Sequence, residues 1–275
     1  MKKKEKSVLA GFLCMVALTL IASGVVWAQT GPLEIDNDKK IGGVFIAVAP
    51  DYLGSNDYKF VAAPFFRYNF SNSEQYLLLR GFELQANVVN HPWFRIGPVL
   101  NYRFGRSDVE QDQVDRMDNI DAAIEGGAFV GAEFKDQANP RQRLLLSLKF
   151  LQDISGVHKG SLTTGEIKGW LPLSSQFDFT LGISTTYGSS DYMDTYFGVD
   201  PADSNSSGLR RFSANGGFRD FSVTPGLVYH LSKSWKLAGG IRYMRLGADA
   251  ADSPVTEDVG NKDQWIGGIG VAYAW

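Results

Sequence analysis

Hydrophobic and polar residues alternate with a period of two along most of this chain. In WFRIGPVLNYRFG, residues 93–105, Phe94, Ile96, Pro98, Leu100, Tyr102 and Phe104 fall on one face of an extended strand, while Arg95, Gly97, Asn101, Arg103 and Gly105 fall on the other. QFDFTLGISTTY sets Phe177, Phe179, Leu181, Ile183 and Tyr187 against Asp178, Thr180, Gly182, Ser184 and Thr186. FSVTPGLVYHL sets Phe221, Val223, Leu227, Tyr229 and Leu231 against Ser222, Thr224, Gly226 and His230, and WKLAGGIRYM sets Trp235, Leu237, Ile241 and Tyr243 against Lys236, Gly240 and Arg242. Weaker segments of the same kind lie at 41–50, 60–70, 76–89, 122–134, 143–154, 160–171 and 264–275, which brings the count to eleven.

The last of these ends on GGIGVAYAW. Ile269, Val271, Tyr273 and Trp275 share a face, and the opposite face holds Gly268, Gly270, Ala272 and Ala274. A soluble sandwich would make that second face polar, because it would meet water. Small residues suit a crowded interior instead, with the aromatics turned to a membrane interface.

Segments of roughly ten residues with this alternation predict an all-β fold, a transmembrane antiparallel up-and-down β-barrel. No apolar run beyond residue 28 approaches the roughly 18 residues of a membrane-spanning helix, so strands must do the crossing, and only a closed barrel satisfies their backbones in lipid. Single-chain bacterial barrels have an even strand number, so twelve strands are expected, with ten the next alternative. The strand that eleven segments leave missing lies between Tyr192 and Gly217, or the run from Tyr76 to Val89 divides into two. SNSE, NHP, DQANP, PLSS and SKS read as short periplasmic turns, and 106–121, 188–217 and 247–263 as long extracellular loops. Pro64, Pro98 and Pro225 fall inside these strands and predict bulges or strand ends.

The amino-terminal end fits export to the outer membrane. KKKEK is followed by an apolar run from Val8 to Val26 and by VWA, which reads as a cleaved secretory signal over residues 1–28. Residues 29–40 then form a periplasmic segment and 41–275 the barrel. The one cysteine, Cys14, lies within the signal, so thiol chemistry and disulfides are excluded for the mature chain. Without residues 1–28 the chain carries 23 basic and 29 acidic residues, a balance that speaks against nucleic-acid binding.

Charges on the inward face are evenly matched in sign. Glu83, Glu125, Glu133, Glu166 and Asp178 face Arg95, Arg103, Lys149, Lys168 and Arg242. A selective pore concentrates one sign at its constriction, whereas buried charges of both signs pair to offset desolvation. The balance therefore predicts an interior filled by ion pairs, with a narrow small-solute channel as the alternative.

Candidates for chemistry are few. Of three histidines, His91 and His158 lie in turns and His230 at a strand end. A lipid hydrolase would need Ser155 or Ser161 beside His158, and no third orienting group is evident. An omptin-like protease would draw on Asp115, Asp118 and Asp121, but their loop carries six acidic and two basic residues and reads as solvated, or as bridged to lipopolysaccharide by divalent cations. No catalytic residue, resident metal or cofactor is expected. In the longest loop Tyr192, Tyr196, Phe197 and Gly198 form an interaction element, folding back as a lid or anchoring a partner, unless the aromatics continue the membrane girdle.

Six stretches in order carry a more specific resemblance: PDYLGSNDY at 50–58, GPVLNYRFGRSD at 97–108, QDISGVHKG at 152–160, YMDTYFGV at 192–199, GLRRFSANGGFRD at 208–220 and AADSPV at 250–255. Together they resemble the MltA-interacting protein (MipA/OmpV) family, with Asp51, Tyr52, Gly54, Ser55, Gly105 and Arg106 among the signature positions. VHKG departs from the pattern where a more glycine-rich turn belongs. The resemblance implies a non-enzymatic outer-membrane barrel in contact with lipid and lipopolysaccharide, acting as a scaffold between a murein transglycosylase and a peptidoglycan synthase, or in adhesion. Tyr273 and Trp275 resemble the carboxy-terminal signal read by the barrel-assembly machinery.

Overall fold

The computed structural model describes residues 40–275. The proposed signal and nearly all of the segment after it lie outside the described residues. Twelve strands follow in chain order: β1 Ile41–Pro50, β2 Tyr58–Asn69, β3 Tyr76–Arg80, β4 Glu83–Asn87, β5 Phe94–Arg103, β6 Ala123–Lys135, β7 Arg143–Asp153, β8 Ser161–Pro172, β9 Phe177–Gly188, β10 Gly217–His230, β11 Trp235–Leu246 and β12 Asp263–Ala274. Each pairs antiparallel with the next, and β12 closes on β1 with Ile41 opposite Ala274. Closure leaves no free end to the sheet, as a membrane requires of strands.

The alternation becomes two surfaces. On β12, Trp265, Ile269, Val271 and Tyr273 are exposed outward, while Gln264, Ile266, Ala272 and Ala274 are buried inward. The small inner residues have a partner. A side chain on Gly270 would collide with the Phe45 ring, which fills that space and meets Phe65 edge-on at 6.0 Å.

The run from Tyr76 to Val89 is two strands, which supplies the twelfth. Arg80 lies opposite Glu83 across a two-residue turn, where Gly81 takes φ +62°. The segment between Tyr192 and Gly217 holds helices instead: α2 Ser190–Phe197 and α3 Pro201–Ser207, with α1 Asp112–Asp115 in the preceding long loop and α4 Ala248–Asp252 and α5 Pro254–Glu257 in the last.

The β3–β4 turn breaks the expected rule that the extracellular side carries long loops. Its strands are only five residues each, so β2 pairs with β3 from Phe65 downward and β4 with β5 no higher than Asn101. A notch remains in the wall. Gly81 N–H donates to Pro64 C=O at 2.9 Å, so Pro64 turns its backbone toward β3. With a period of two, Ala62 and Phe60 turn the same way, above the end of the hairpin and without a ladder partner there. Phe60 is 80% exposed.

The notch also explains a proline. Pro64 sits mid-strand, opposite Val44, with its missing N–H on the notch side. Pro98 faces Ala128, and the β4 ladder stops at Val99 beside it. Pro225 faces Leu181 and has no partner in β11. The three prolines therefore lie neither at bulges nor at strand ends. Each falls where the ladder lapses on one side, so no hydrogen bond is lost. The bulge in β10 lies between Phe218 and Asp220.

The interior is layered along the barrel axis. Ile41, Phe45, Phe65, Tyr76, Leu78, Val228, Ala238, Ala272 and Ala274 pack the periplasmic half. Tyr192, Met193, Tyr196 and Phe197 of α2 drop into the extracellular mouth against Val61, Val99, Phe129, Leu151, Leu162 and Met244. A third apolar layer, Tyr52, Val109, Val114, Met117, Val199, Leu209 and Val255, joins the loops above it. Charged residues occupy the level between the two packed halves.

Candidate functional site

The centre of the lumen is built on Glu125. β5 and β6 place Asn101 directly opposite Glu125, with Arg103 two residues further along the same inward face. Arg103 donates from Nε to Glu125 Oε1 at 2.7 Å and from Nη2 to Oε2 at 3.1 Å. Asn101 Nδ2 adds a third bond at 2.7 Å, and His158 Nε2 lies 3.1 Å from Oε1. Above the guanidinium stand the rings of Tyr192 and Tyr196, at 5.1 and 5.7 Å from its carbon. The α2 plug thus rests on the ionic centre.

Glu83 forms a second centre with Lys149 and with Arg80 at 3.2 Å. The β10 bulge makes a third. It turns both Arg219 and Asp220 inward, where they pair at 2.5 Å and Arg219 donates to Tyr192 Oη at 2.7 Å. Arg242 donates to Ser222 at 2.9 Å. Beside these groups is a cavity of about 30 Å³, lined by Arg80, Gln85, Phe129, Lys149, Thr164 and Glu166 among others, with room for about two waters. A water-filled bore would leave inward side chains accessible. Those of the apolar layers and of the central ion pairs are buried instead.

Toward the periplasm the remaining inward charges form a ring. Arg95 pairs with Glu133 at 2.8 Å and with Glu74 at 2.7 Å, and Lys135 reaches Glu74 at 2.7 Å. Asp178 takes His230 at 2.6 Å and also Arg141. Lys168 stands over the Trp170 ring at 5.2 Å. Within the ten inward charges read from the sequence, Arg103 pairs with Glu125, Glu83 with Lys149 and Arg95 with Glu133. Arg80, Glu74, Arg141, His158, His230, Arg219 and Asp220 were not singled out as members. Most stand in turns or at strand ends, where alternation assigns no face. Arg219 is brought in by the bulge.

The loop aromatics do not form an outward contact surface. Tyr192, Tyr196 and Phe197 are buried in the mouth, and Gly198 ends α2 with its N–H on the Asp194 carbonyl at 2.8 Å. Four apolar or aromatic residues spaced along two turns of helix gain more from the barrel interior than from water. The segment is a plug.

The signature positions hold the cap together. The Asp51 carboxylate takes Lys59 at 2.7 Å and the Glu110 N–H at 2.9 Å, tying the β1–β2 turn to the next loop. Gly54 needs φ +103°, and its N–H and C=O meet Gln264 and Asn261 of the last loop and strand. Ser55 donates its N–H to Tyr52 C=O at 3.0 Å, and Gly105 passes so close to Ile120 C=O that a side chain would not fit. Burial pushes the Tyr52 hydroxyl up to about 12 and raises that of Tyr196, while it lowers the pKa of Arg106. The turn that departs from the family pattern places Lys159 at φ +53°, a conformation that favours glycine.

Among the described residues neither Ser155 nor Ser161 hydrogen-bonds His158. Ser155 donates to Asp153 at 2.7 Å, and the two ring nitrogens of His158 are taken by Glu125 and by the Gly160 N–H at 3.2 Å. His91 Nδ1 accepts the Phe94 N–H at 3.1 Å. In the acidic loop, Asp115 accepts the Val109 N–H at 3.1 Å, and the Asp118 N–H donates to Asp203. Among the described residues no cluster of three His, Cys, Asp or Glu side chains is arranged to hold a metal. Tyr273 and Trp275 lie on the outer surface at the periplasmic end, with ring planes 16° apart.

A family model described as MltA-interacting protein MipA matches residues 42–275. Outer membrane protein Omp26La of Vibrio anguillarum is 28% identical over 275 residues, covering 94% of this chain and 96% of that one. Outer membrane protein OmpV of Vibrio cholerae serotype O1 is 40% identical over 94 residues, 34% of this chain and 33% of its own. Among solved structures, the translocator domain of autotransporter NalP from Neisseria meningitidis aligns at a TM-score of 0.46 and 9% identity, over 100% of this chain and 97% of that one. The outer membrane channel DcaP of Acinetobacter baumannii aligns at 0.40 and 8%, over 86% and 95%. These structural likenesses bear on neither function nor site.

Proposed function

The chain belongs to the MltA-interacting protein MipA family, and from that premise we propose that it is a non-conducting, non-enzymatic outer-membrane scaffold that brings a murein transglycosylase and a peptidoglycan synthase together on its periplasmic side. The observation that carries this reading is the packed interior. Apolar layers at both ends and buried ion pairs between them leave no inner surface to use, so function falls to the outer ones.

The periplasmic rim offers more than short turns. A groove of about 450 Å³ runs between Lys40, Arg67, Asn69, Glu74, Lys135 and Trp275, beside the point where the preceding segment joins the barrel. A partner docking there would bury charged and aromatic surface together, the composition that favours specific interfaces. Tyr273 and Trp275, at the same rim, serve the barrel-assembly machinery before any partner arrives.

The test is a crosslinking pull-down from intact envelopes, with a tag between Gln29 and Lys39. Enrichment of a transglycosylase or a synthase over an unrelated barrel is the expected result. Recovery of assembly factors alone would sink the scaffold. In planar bilayers the purified protein is expected to show no conductance steps, and stable steps would instead favour the small-solute channel.

A further inference from the structure

An open cavity of about 810 Å³ lies on the extracellular face, between the β5–β6 loop, the turn around His158 and helices α2 and α3. Its walls carry charges of both signs. Arg106 lines it at 6% exposure, and its guanidinium makes a single hydrogen bond, from Nη1 to the Tyr196 carbonyl at 3.3 Å. No ion pair to Arg106 forms among the described residues, and burial is the main reason its pKa falls. Its remaining donors keep access to solvent from the cavity side, where they are available to an anion.

Carboxylates border the same space. Asp118 and Asp191 make no side-chain hydrogen bond or ion pair among the described residues, Asp203 accepts the Asp118 N–H, and Asp194 accepts the Ala214 N–H and the Ser213 hydroxyl on one oxygen. Burial first, and then the neighbouring charges of Asp200 and Asp118, raise the carboxyl pKa of Asp203, while the Asp118 N–H and the Arg106 charge partly offset that rise. The cavity therefore sets the largely buried Arg106, with Lys159 and Arg211, beside the carboxylates of Asp118, Asp191 and Asp203, and Arg106 and Asp203 already attract one another across it without a direct ion pair.

We propose that this cavity binds a small zwitterion, an amino acid or short peptide, with its carboxylate on Arg106 and its ammonium among Asp118, Asp191 and Asp203. A guanidinium presents paired donors that match a carboxylate. A phosphate dianion would meet the surrounding aspartates, and a simple cation would leave Arg106 unpaired. The volume falls in the range of small-molecule sites and exceeds what a single amino acid needs. This site lies on the face opposite the scaffold groove and does not depend on that reading.

Isothermal titration of the full mature chain, folded in detergent, tests it with L-alanyl-L-alanine, L-alanine, acetate, ethylamine and inorganic phosphate. Saturable binding of a zwitterion at least about tenfold tighter than acetate or ethylamine is expected, because both halves of the cavity then contribute. Arg106→Gln should weaken it roughly tenfold or more, as loss of a hydrogen bond to a charged group does. Arg106 also supports the cap through Tyr196, so Asp191→Asn, on an exposed residue that holds nothing else, supplies a second readout in a protein whose heat-modifiable gel mobility confirms folding. Absence of zwitterion binding, or wild-type affinity in both variants, overturns the proposal. Phosphate binding more tightly than the dipeptide overturns it in favour of an oxyanion site.

Discussion

Glu125 at mid-lumen and Glu74 at the periplasmic rim hold similar company. Glu125 takes Arg103, Asn101 and His158, and Glu74 takes Arg95 and Lys135, all at 2.7 to 3.1 Å. Their surroundings differ. The Glu125 side chain is 1% exposed and that of Glu74 37%. At the rim the Glu74 carboxylate is screened by water and salt, and Arg95, though buried, keeps Glu133 when Glu74 is lost. At mid-lumen neither charge can return to water, so each makes the other tolerable. The same drawing of contacts therefore describes an optional interaction in one place and an obligatory one in the other.

The largest expected effect is at the centre. Glu125→Ala strands Arg103 inside the barrel and should cost about 3–5 kcal/mol, read as a lower urea midpoint for the protein folded in vesicles and followed by tryptophan fluorescence. A loss below about 1 kcal/mol would erase the contrast with the rim. Alkali comes next. Tyr52 holds its proton up to about 12 in the fold but releases it near 10 once unfolded, so the unfolded state binds fewer protons across that window. Stability should therefore fall between about pH 10 and 12, by about 2–3 kcal/mol from this group, and Tyr52→Phe should flatten the slope. Tyrosinate absorbance would follow the same window, and a transition centred at 10 would refute the burial.

At the rim, Glu74→Ala should shift stability by less than about 1 kcal/mol, and about 1 M salt should abolish even that. A larger, salt-independent change would place Glu74 with Glu125. The smallest effect involves no stability change. Amides of Phe60 and Ala62 on the notched edge should exchange with deuterium faster than those of Leu227 in the fully walled half. Equal protection would mean that something covers the notch.

Much of the fold was legible because alternation assigns faces without reference to neighbours. Ile269 to Trp275 outward and Arg95, Asn101 and Arg103 inward follow from period two alone, and the resemblance to the family is carried by residues in the loops. The β3–β4 hairpin was readable only as an ambiguity, since GF at 81–82 is a weak turn signal inside an apolar run. For the α2 plug the sequence left three readings open, a lid folded back on the barrel, a partner anchor and a continued girdle, and the fold matches the first. SDYMDTYF has the spacing of an amphipathic helix, but nothing in eight residues says whether its apolar face meets a partner, the membrane or the chain's own barrel.

The sequence by itself determined that this is a closed barrel with apolar exterior, charge-balanced interior and aromatic ends, because those properties depend on residue type and parity. Which charge meets which, that Tyr192 and Tyr196 sit over Arg103, and that Asp51, Tyr52 and Arg106 share one cap were decided only by the tertiary structure. Partners 22 or more residues apart are brought together by strand register, a bulge in β10 and the fold of three loops, and these are set by packing of the whole barrel rather than by any local segment.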